Sequence, residues 1–120
     1  MSRLRTLPSS FKYAISGFKT AMTKEPNFQI HMFVGSCALL MGAILGLTQT
    51  EWVILLFTIS FVLILEFWNT AIEAIVDLVS PEIHPKAKIA KDVAAAAVLL
   101  GAGVSVIIGI LLFLPKILHY

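Results

Sequence analysis

Four polar side chains recur along one stretch of an otherwise apolar sequence: Glu66, Asn69, Glu73 and Asp77, within Glu66-Phe67-Trp68-Asn69-Thr70-Ala71-Ile72-Glu73-Ala74-Ile75-Val76-Asp77. At about 100° per residue they fall within an arc of roughly 80° on a helix, with Thr70 just beside it and the opposite face apolar. Acids on a membrane helix cost on the order of 2.5–3.5 kcal/mol each to insert, so they face a polar interior and mark a functional path. A cluster of such oxygens suits a divalent cation, because magnesium takes one or two carboxylates together with substrate phosphates. Glu66 and Glu73 stand about 10 Å apart along the axis at about 1.5 Å per residue, too far to be expected on one ion. The spacing allows two roles: a base nearer the lipid and a metal ligand nearer the water.

Hydrocarbon must surround the elements that carry these groups. Of 120 residues, 58% are hydrophobic, with only nine basic and seven acidic. An ordinary soluble domain is about half apolar and about a quarter charged. The shortage of charge counts against a free-standing soluble domain and against a disordered chain. A net charge of +2 gives no sign of a nucleic-acid partner, and a single cysteine, Cys37, excludes an internal disulfide framework and a cysteine-based zinc site. Three stretches, 28–47, 52–77 and 93–114, match the roughly 20 residues needed to cross roughly 30 Å of hydrocarbon. Unpaired backbone groups are not tolerated in lipid, so these are expected to be helices. Before them, Phe11, Ile15, Phe18 and Met22 recur at helical spacing opposite Lys12, Ser16, Lys19, Thr20 and Thr23. That pattern predicts an amphipathic helix over 9–24 lying in the membrane interface, capped by Ser9 or Ser10 after Pro8. The expected fold class is an all-α integral membrane protein, one domain over 1–120.

Orientation follows from lysine and arginine. Arg3, Arg5, Lys12, Lys19 and Lys24 precede the first span, and Lys86, Lys88 and Lys91 lie between the second and third. The first loop, Thr48-Gln49-Thr50-Glu51, carries no basic residue, and only Lys116 lies beyond the third span. The N-terminus and second loop are therefore expected in the cytoplasm, and the first loop and Tyr120 outside. Glu25, Glu66, Glu73, Asp77 and Asp92 then gather near one depth at the cytoplasmic side. Small residues repeat at four-residue spacing in two spans, Ala38-Gly42-Gly46 and Ala97-Gly101-Ser105-Gly109. They read as helix-packing stripes, and Gly101-Ala102-Gly103 as part of one rather than as a phosphate loop. Two other readings of the polar stripe stand at this point: helix-to-helix glue, and the proton site of a small proton-coupled exporter or channel. His31 reads equally as a capping residue or a ligand, and His84 as a ligand contact or a solvated loop residue.

The stretch Glu66-x-x-Asn69-Thr70-Ala71-x-Glu73-x-x-x-Asp77 closely resembles the signature of the prokaryotic diacylglycerol kinase family. The likeness continues through Lys91-Asp92, Glu25 and Ser10-Phe11-x-x-Ala14-x-x-Gly17, and so covers nearly the whole chain. The resemblance implies a small membrane lipid kinase: a homotrimer of three-span subunits, each with an N-terminal amphipathic helix, in the bacterial plasma membrane. It also implies active sites shared between subunits at the cytoplasmic interface. Carried over, Glu66 would be the general base that takes the lipid hydroxyl proton, and Glu25 and Glu73 would hold magnesium bound to ATP. Asn69, Thr70 and Asp77 would support the site. Tyr13, Asp77, Glu82, His84, Lys91 and Asp92 would lie near the nucleotide, and His31 near the lipid substrate. ATP enters only through the resemblance. Asn27-Phe28-Gln29-Ile30-His31 and Ser10-Phe11 look more like the undecaprenol kinase branch of Gram-positive bacteria, whereas enterobacterial diacylglycerol kinases have an acid at the position matching His31. An N-terminal arginine that contacts ATP in the enterobacterial branch aligns near Thr6, with Arg5 adjacent. The expected acceptor is undecaprenol, with diacylglycerol as the alternative.

Overall fold

A computed structural model describes residues 6–119; Arg3 and Arg5 of the charge count, and Tyr120, lie outside the described residues. Four helices follow one another: α1 (Leu7–Lys24), α2 (Pro26–Leu45), α3 (Gln49–Val79) and α4 (Pro85–Leu118). The last three are each long and apolar enough to cross a membrane. At about 1.5 Å per residue, α3 is about 46 Å long and α4 about 51 Å, so both outrun a hydrocarbon layer of about 30 Å.

Short local signals set the ends. Helix α1 starts one turn earlier than the serine caps predict. Thr6 is the extended residue before it, and its side chain makes no capping bond. Ser9 instead donates from its hydroxyl to the Thr6 carbonyl at 2.8 Å. Pro8 sits in the first turn, where its missing N–H leaves nothing unsatisfied, so the helix begins before the proline. The other end of α1 is set by Pro26, which disfavours helical geometry at Glu25. Glu25 is accordingly extended (φ −111°, ψ 103°) and stands at the corner between α1 and α2. Gly46 ends α2 with φ 77°, a left-handed conformation that glycine adopts without steric penalty. Thr48 then opens α3, its hydroxyl accepting from the Glu51 N–H at 3.2 Å.

Little of the molecule is shielded. Ala21, Phe28, Leu55, Val62, Ala94, Val98 and Phe113 form a thin apolar core, while Phe33 and Phe57 are each 71% exposed. Helices α3 and α4 pack most extensively, and α2 lies against α3. Phe18 of α1, Phe28 of α2 and Phe67 of α3 meet in one aromatic cluster, with centroids 5.4, 5.8 and 4.9 Å apart. Edge-on and tilted rings at these distances attract beyond their area burial, and here they join three helices.

The small-residue stripes contribute unequally within the chain. A Cβ on Gly101 would meet Leu65 at 2.5 Å, and one on Gly42 would meet Leu47 at 2.8 Å and Trp52 at 3.1 Å. Gly46 is a helix terminator and not a packing contact, while Gly103 and Gly109 face open space. Gly35, outside either stripe, lets Ile59 of α3 approach α2. Gly42→Leu should therefore destabilise the protein by about 1–3 kcal/mol through overpacking, read as a lower thermal unfolding midpoint in detergent. Gly103→Leu should leave the midpoint in place; equal midpoints would show that the α2–α3 turn has room to spare.

Candidate functional site

Where α3 packs against α2 and α4, it buries a carboxylate. Glu66 is 2% exposed and Asn69 8%. They lie three residues apart on the same helical face, continuing the inward line of Leu55 and Val62. His31 of α2 reaches across, its Nε2 3.3 Å from Glu66 Oε1. That approach lacks hydrogen-bond geometry, so among the described residues Oε1 is a buried acceptor with no hydrogen bond. A buried carboxylate oxygen left in this state calls for a donor.

The other members of the stripe connect to it in turn. Thr70 spends its hydroxyl on the Glu66 carbonyl at 3.0 Å. Asn69 donates from Nδ2 to Glu73 Oε1 at 3.3 Å, and its own Oδ1 is buried without a partner among the described residues. Glu25 and Glu73 both act electrostatically on Glu66. Glu25 reaches this neighbourhood because of the proline corner, and its side chain makes no helix cap. Gln29 braces the same corner by donating from Nε2 to the Met22 carbonyl at 2.8 Å. On the other side, Lys91 of α4 pairs with Asp77 and also feels Glu73.

Beyond Asp77 the α3–α4 turn borders an open hollow of about 250 Å³, lined by Asp77, Glu82, His84, Lys88, Lys91 and Asp92 among others. Most of the groups expected near the nucleotide thus share one hollow of mixed charge. His84 is also the N-cap of α4, its Nδ1 accepting from the Lys86 N–H at 3.1 Å. Ser80 donates to the Glu82 carbonyl at 2.9 Å and shapes the turn. Lys88 and Asp92 pair along α4, both largely exposed, a contact worth little to stability. Tyr13 lies on α1 and does not line this cavity.

Among the described residues no three His, Cys, Asp or Glu side chains come close enough to cage a metal ion. Two further carboxylates, Glu25 at the α1–α2 corner and Glu73 on α3, are close enough to act electrostatically on Glu66. Such a pair fits an ion that brings phosphate oxygens with it, as magnesium does when it keeps only one or two protein ligands.

Contacts that sequence reasoning missed include the His31–Glu66 approach, the aromatic cluster beside the site, the Gln29 brace, and an ion pair at the far end of the bundle. There Lys116 of α4 meets Glu51 of α3 at 2.9 Å. Its signal was present, because these are the two charges assigned to that side of the membrane. The His31–Glu66 approach gives the first measurable consequence. His31→Leu and Glu66→Gln, made singly and together, should couple by on the order of 0.5–3 kcal/mol in thermal unfolding; additive effects would mean that the two side chains do not act as a pair.

Comparison with known proteins identifies the family. Residues 12–113 match the family described as prokaryotic diacylglycerol kinase. The chain is similar to the undecaprenol kinase of Bacillus subtilis (strain 168), 44% identical over 108 residues that cover 90% of this chain and 88% of that protein. It is also similar to a diacylglycerol kinase of Synechocystis sp., 44% identical over 110 residues, 91% of this chain and 63% of that protein. The diacylglycerol kinase of Escherichia coli (strain K12) is 33% identical over 95 residues, 79% of this chain and 78% of that protein. The matched region holds the buried glutamate, the polar stripe and the charged turn together on helices built to cross a membrane, and the chain belongs to the prokaryotic diacylglycerol kinase family of membrane lipid kinases.

Proposed function

We propose that this protein transfers the γ-phosphoryl group of ATP to the hydroxyl of a membrane lipid alcohol, undecaprenol ahead of diacylglycerol, with Glu66 as the general base. The observation that carries the reading is the buried Glu66 Oε1, an acceptor without a donor beside His31. A lipid hydroxyl is the donor it lacks. With that hydrogen bond made, the hydroxyl oxygen attacks the γ-phosphorus in line, its proton passes to Glu66, and ADP leaves. Phosphoryl transfer asks a protein for positioning, charge neutralisation and a group to orient or deprotonate the nucleophile. Glu25 and Glu73 would hold magnesium together with the phosphates of ATP, and the ion would supply the neutralisation. Asn69 steadies Glu73, and Asp77 with Lys91 and Asp92 forms the wall on which the nucleotide rests. Glu82, His84 and Tyr13 complete the nucleotide surroundings, and His31 faces the lipid.

In the same reading the chain is one lipid-kinase domain, and α1 lies in the cytoplasmic interface of a bacterial plasma membrane. Exposed Phe11 and Ile15 support that placement of α1. The reaction belongs at that interface because ATP is cytoplasmic and the acceptor headgroup is interfacial. Subunits assemble as homotrimers, which supplies cover for apolar side chains that the single chain leaves open. The lean toward undecaprenol rests on Asn27-Phe28-Gln29-Ile30-His31 and on the near full-length likeness to the Bacillus protein. The Synechocystis protein, at equal identity, makes diacylglycerol the second acceptor to assay.

Purified protein with magnesium, ATP and each acceptor side by side should phosphorylate undecaprenol faster. Folded protein that phosphorylates neither would sink the reading. Glu66→Gln should lower kcat by about 10²–10⁴-fold, the usual contribution of a positioned base, while the KM for ATP stays within about twofold; normal turnover would reject the base. Glu73→Gln should shift the magnesium titration to higher concentration, about tenfold for each 1.4 kcal/mol of lost binding, and an unchanged titration would refute its role as a ligand.

A further inference from the structure

Helix α1 ends on a carbonyl for which the sequence supplies no helical partner. In its last turn the Glu25 N–H donates to the Ala21 carbonyl at 3.0 Å. The next bond of that ladder would run to the Met22 carbonyl from the N–H of residue 26, but residue 26 is a proline and has none. Gln29, one turn into α2, provides the missing donor: its Nε2 reaches the Met22 carbonyl at 2.8 Å. The same residue donates its backbone N–H to the Glu25 carbonyl at 3.1 Å. One residue thus ties both sides of the corner, through its main chain to Glu25 and through its side chain to α1.

Glu25 is the hinge between these ties. Its N–H belongs to the ladder of α1 and its carbonyl to that of α2, so the angle between the helices turns on its own φ and ψ. The Gln29 amide bond crosses that hinge, as does the contact of Phe18 with Phe28. Of the two, the hydrogen bond is the directional one and weakens steeply when bent. A side chain at an N-cap commonly accepts from the first free N–H groups of its helix. That of Glu25 makes no such bond. Closure of the corner by Gln29 leaves the Glu25 carboxylate unspent, within electrostatic reach of Glu66.

We infer that Gln29 is a positioning residue for phosphoryl transfer: its amide stands in for the N–H that Pro26 lacks and so sets the angle at which Glu25 is presented to the metal. The inference rests on the reading of Glu25 as a magnesium ligand and deepens it. Pro26 and Gln29 then act as a matched pair. The proline breaks the ladder so that Glu25 leaves the helix, and the glutamine repairs the break without drawing Glu25 back.

Manganese(II) is the probe for the metal site. Its binding to the full chain with a non-hydrolysable ATP analogue is read from loss of the free-ion electron paramagnetic resonance signal. Gln29→Met keeps the length of the side chain and loses its donor. It should raise the Kd for manganese about tenfold, the lower end for a residue that orients a metal ligand. Gln29→Asn, one methylene shorter, carries the same expectation should Gln29→Met fail to fold. Gln29→Arg restores a donor and should return the Kd toward the wild-type value. In a Glu25→Gln background, Gln29→Met should shift the Kd no further, because the ligand it positions is gone. A lower thermal midpoint with unchanged manganese binding makes Gln29 a brace of the fold alone and overturns the proposal. If Glu25→Gln shifts the Kd and Gln29→Met does not, the positioning role falls and the metal role of Glu25 stands. If neither shifts it, Glu25 is no ligand and both readings fall. Binding that follows expectation in protein that phosphorylates neither acceptor supports the positioning role and removes the lipid-kinase reading.

Discussion

A carboxylate enclosed in a bundle surrounded by hydrocarbon is the constraint on which this structure depends. Burying Glu66 opposes the tendency of charged groups to remain in water, and that opposition is tolerable only where the surroundings compensate. The compensation comes from several elements. Helix α2 brings His31 to the carboxylate. The narrow approach of α2 to α3 rests on Gly35, against which Ile59 packs. Phe18, Phe28 and Phe67 close the side toward α1. Each of these features is an ordinary packing contact, yet together they hold one oxygen buried beside His31 and without a hydrogen bond among the described residues.

Helix length does the second part of the work. Because α3 and α4 are longer than the hydrocarbon layer is thick, one end of the pair emerges into a polar setting. Along α3 the side chains therefore grade from apolar, through a buried acid, to Asp77 exposed beside Lys91. The proline corner at Glu25–Pro26 brings a third acid within electrostatic reach of Glu66. One continuous helix thus passes from one medium to the other, which is what the proposed meeting of lipid and nucleotide requires.

Much of this is legible in the sequence, for a physical reason. Hydrocarbon forces helices on long apolar stretches, so four helices with three able to span follow from composition and periodicity. Polar groups are so costly there that Glu66, Asn69, Glu73 and Asp77 declare themselves by being present at all. What cannot be read is contact between helices. Nothing local says that His31 meets Glu66, or that Phe18 and Phe67 converge on Phe28, because such meetings depend on crossing geometry that has no period in the chain. Local signals also mislead when two are nested. Ser9 and Ser10 look like caps, but the proline before them belongs inside the first turn. Gly46 fits a packing stripe by spacing, but its left-handed backbone ends the helix. Choosing between a kinase and an exporter required the family match, since a buried acid serves both.

The pair Lys116–Glu51 at one end and Lys91–Asp77 at the other tie the same two helices, α3 and α4, at points separated by most of their length. Two distant ties on one pair of rods act as a vernier. A slide of α4 along α3 by a single turn, about 5.4 Å, would part both ion pairs together. The two long helices are thereby held in one register. The position of the charged turn of α4 relative to Glu66 of α3 is thereby fixed in part by a contact at the opposite end of the two helices.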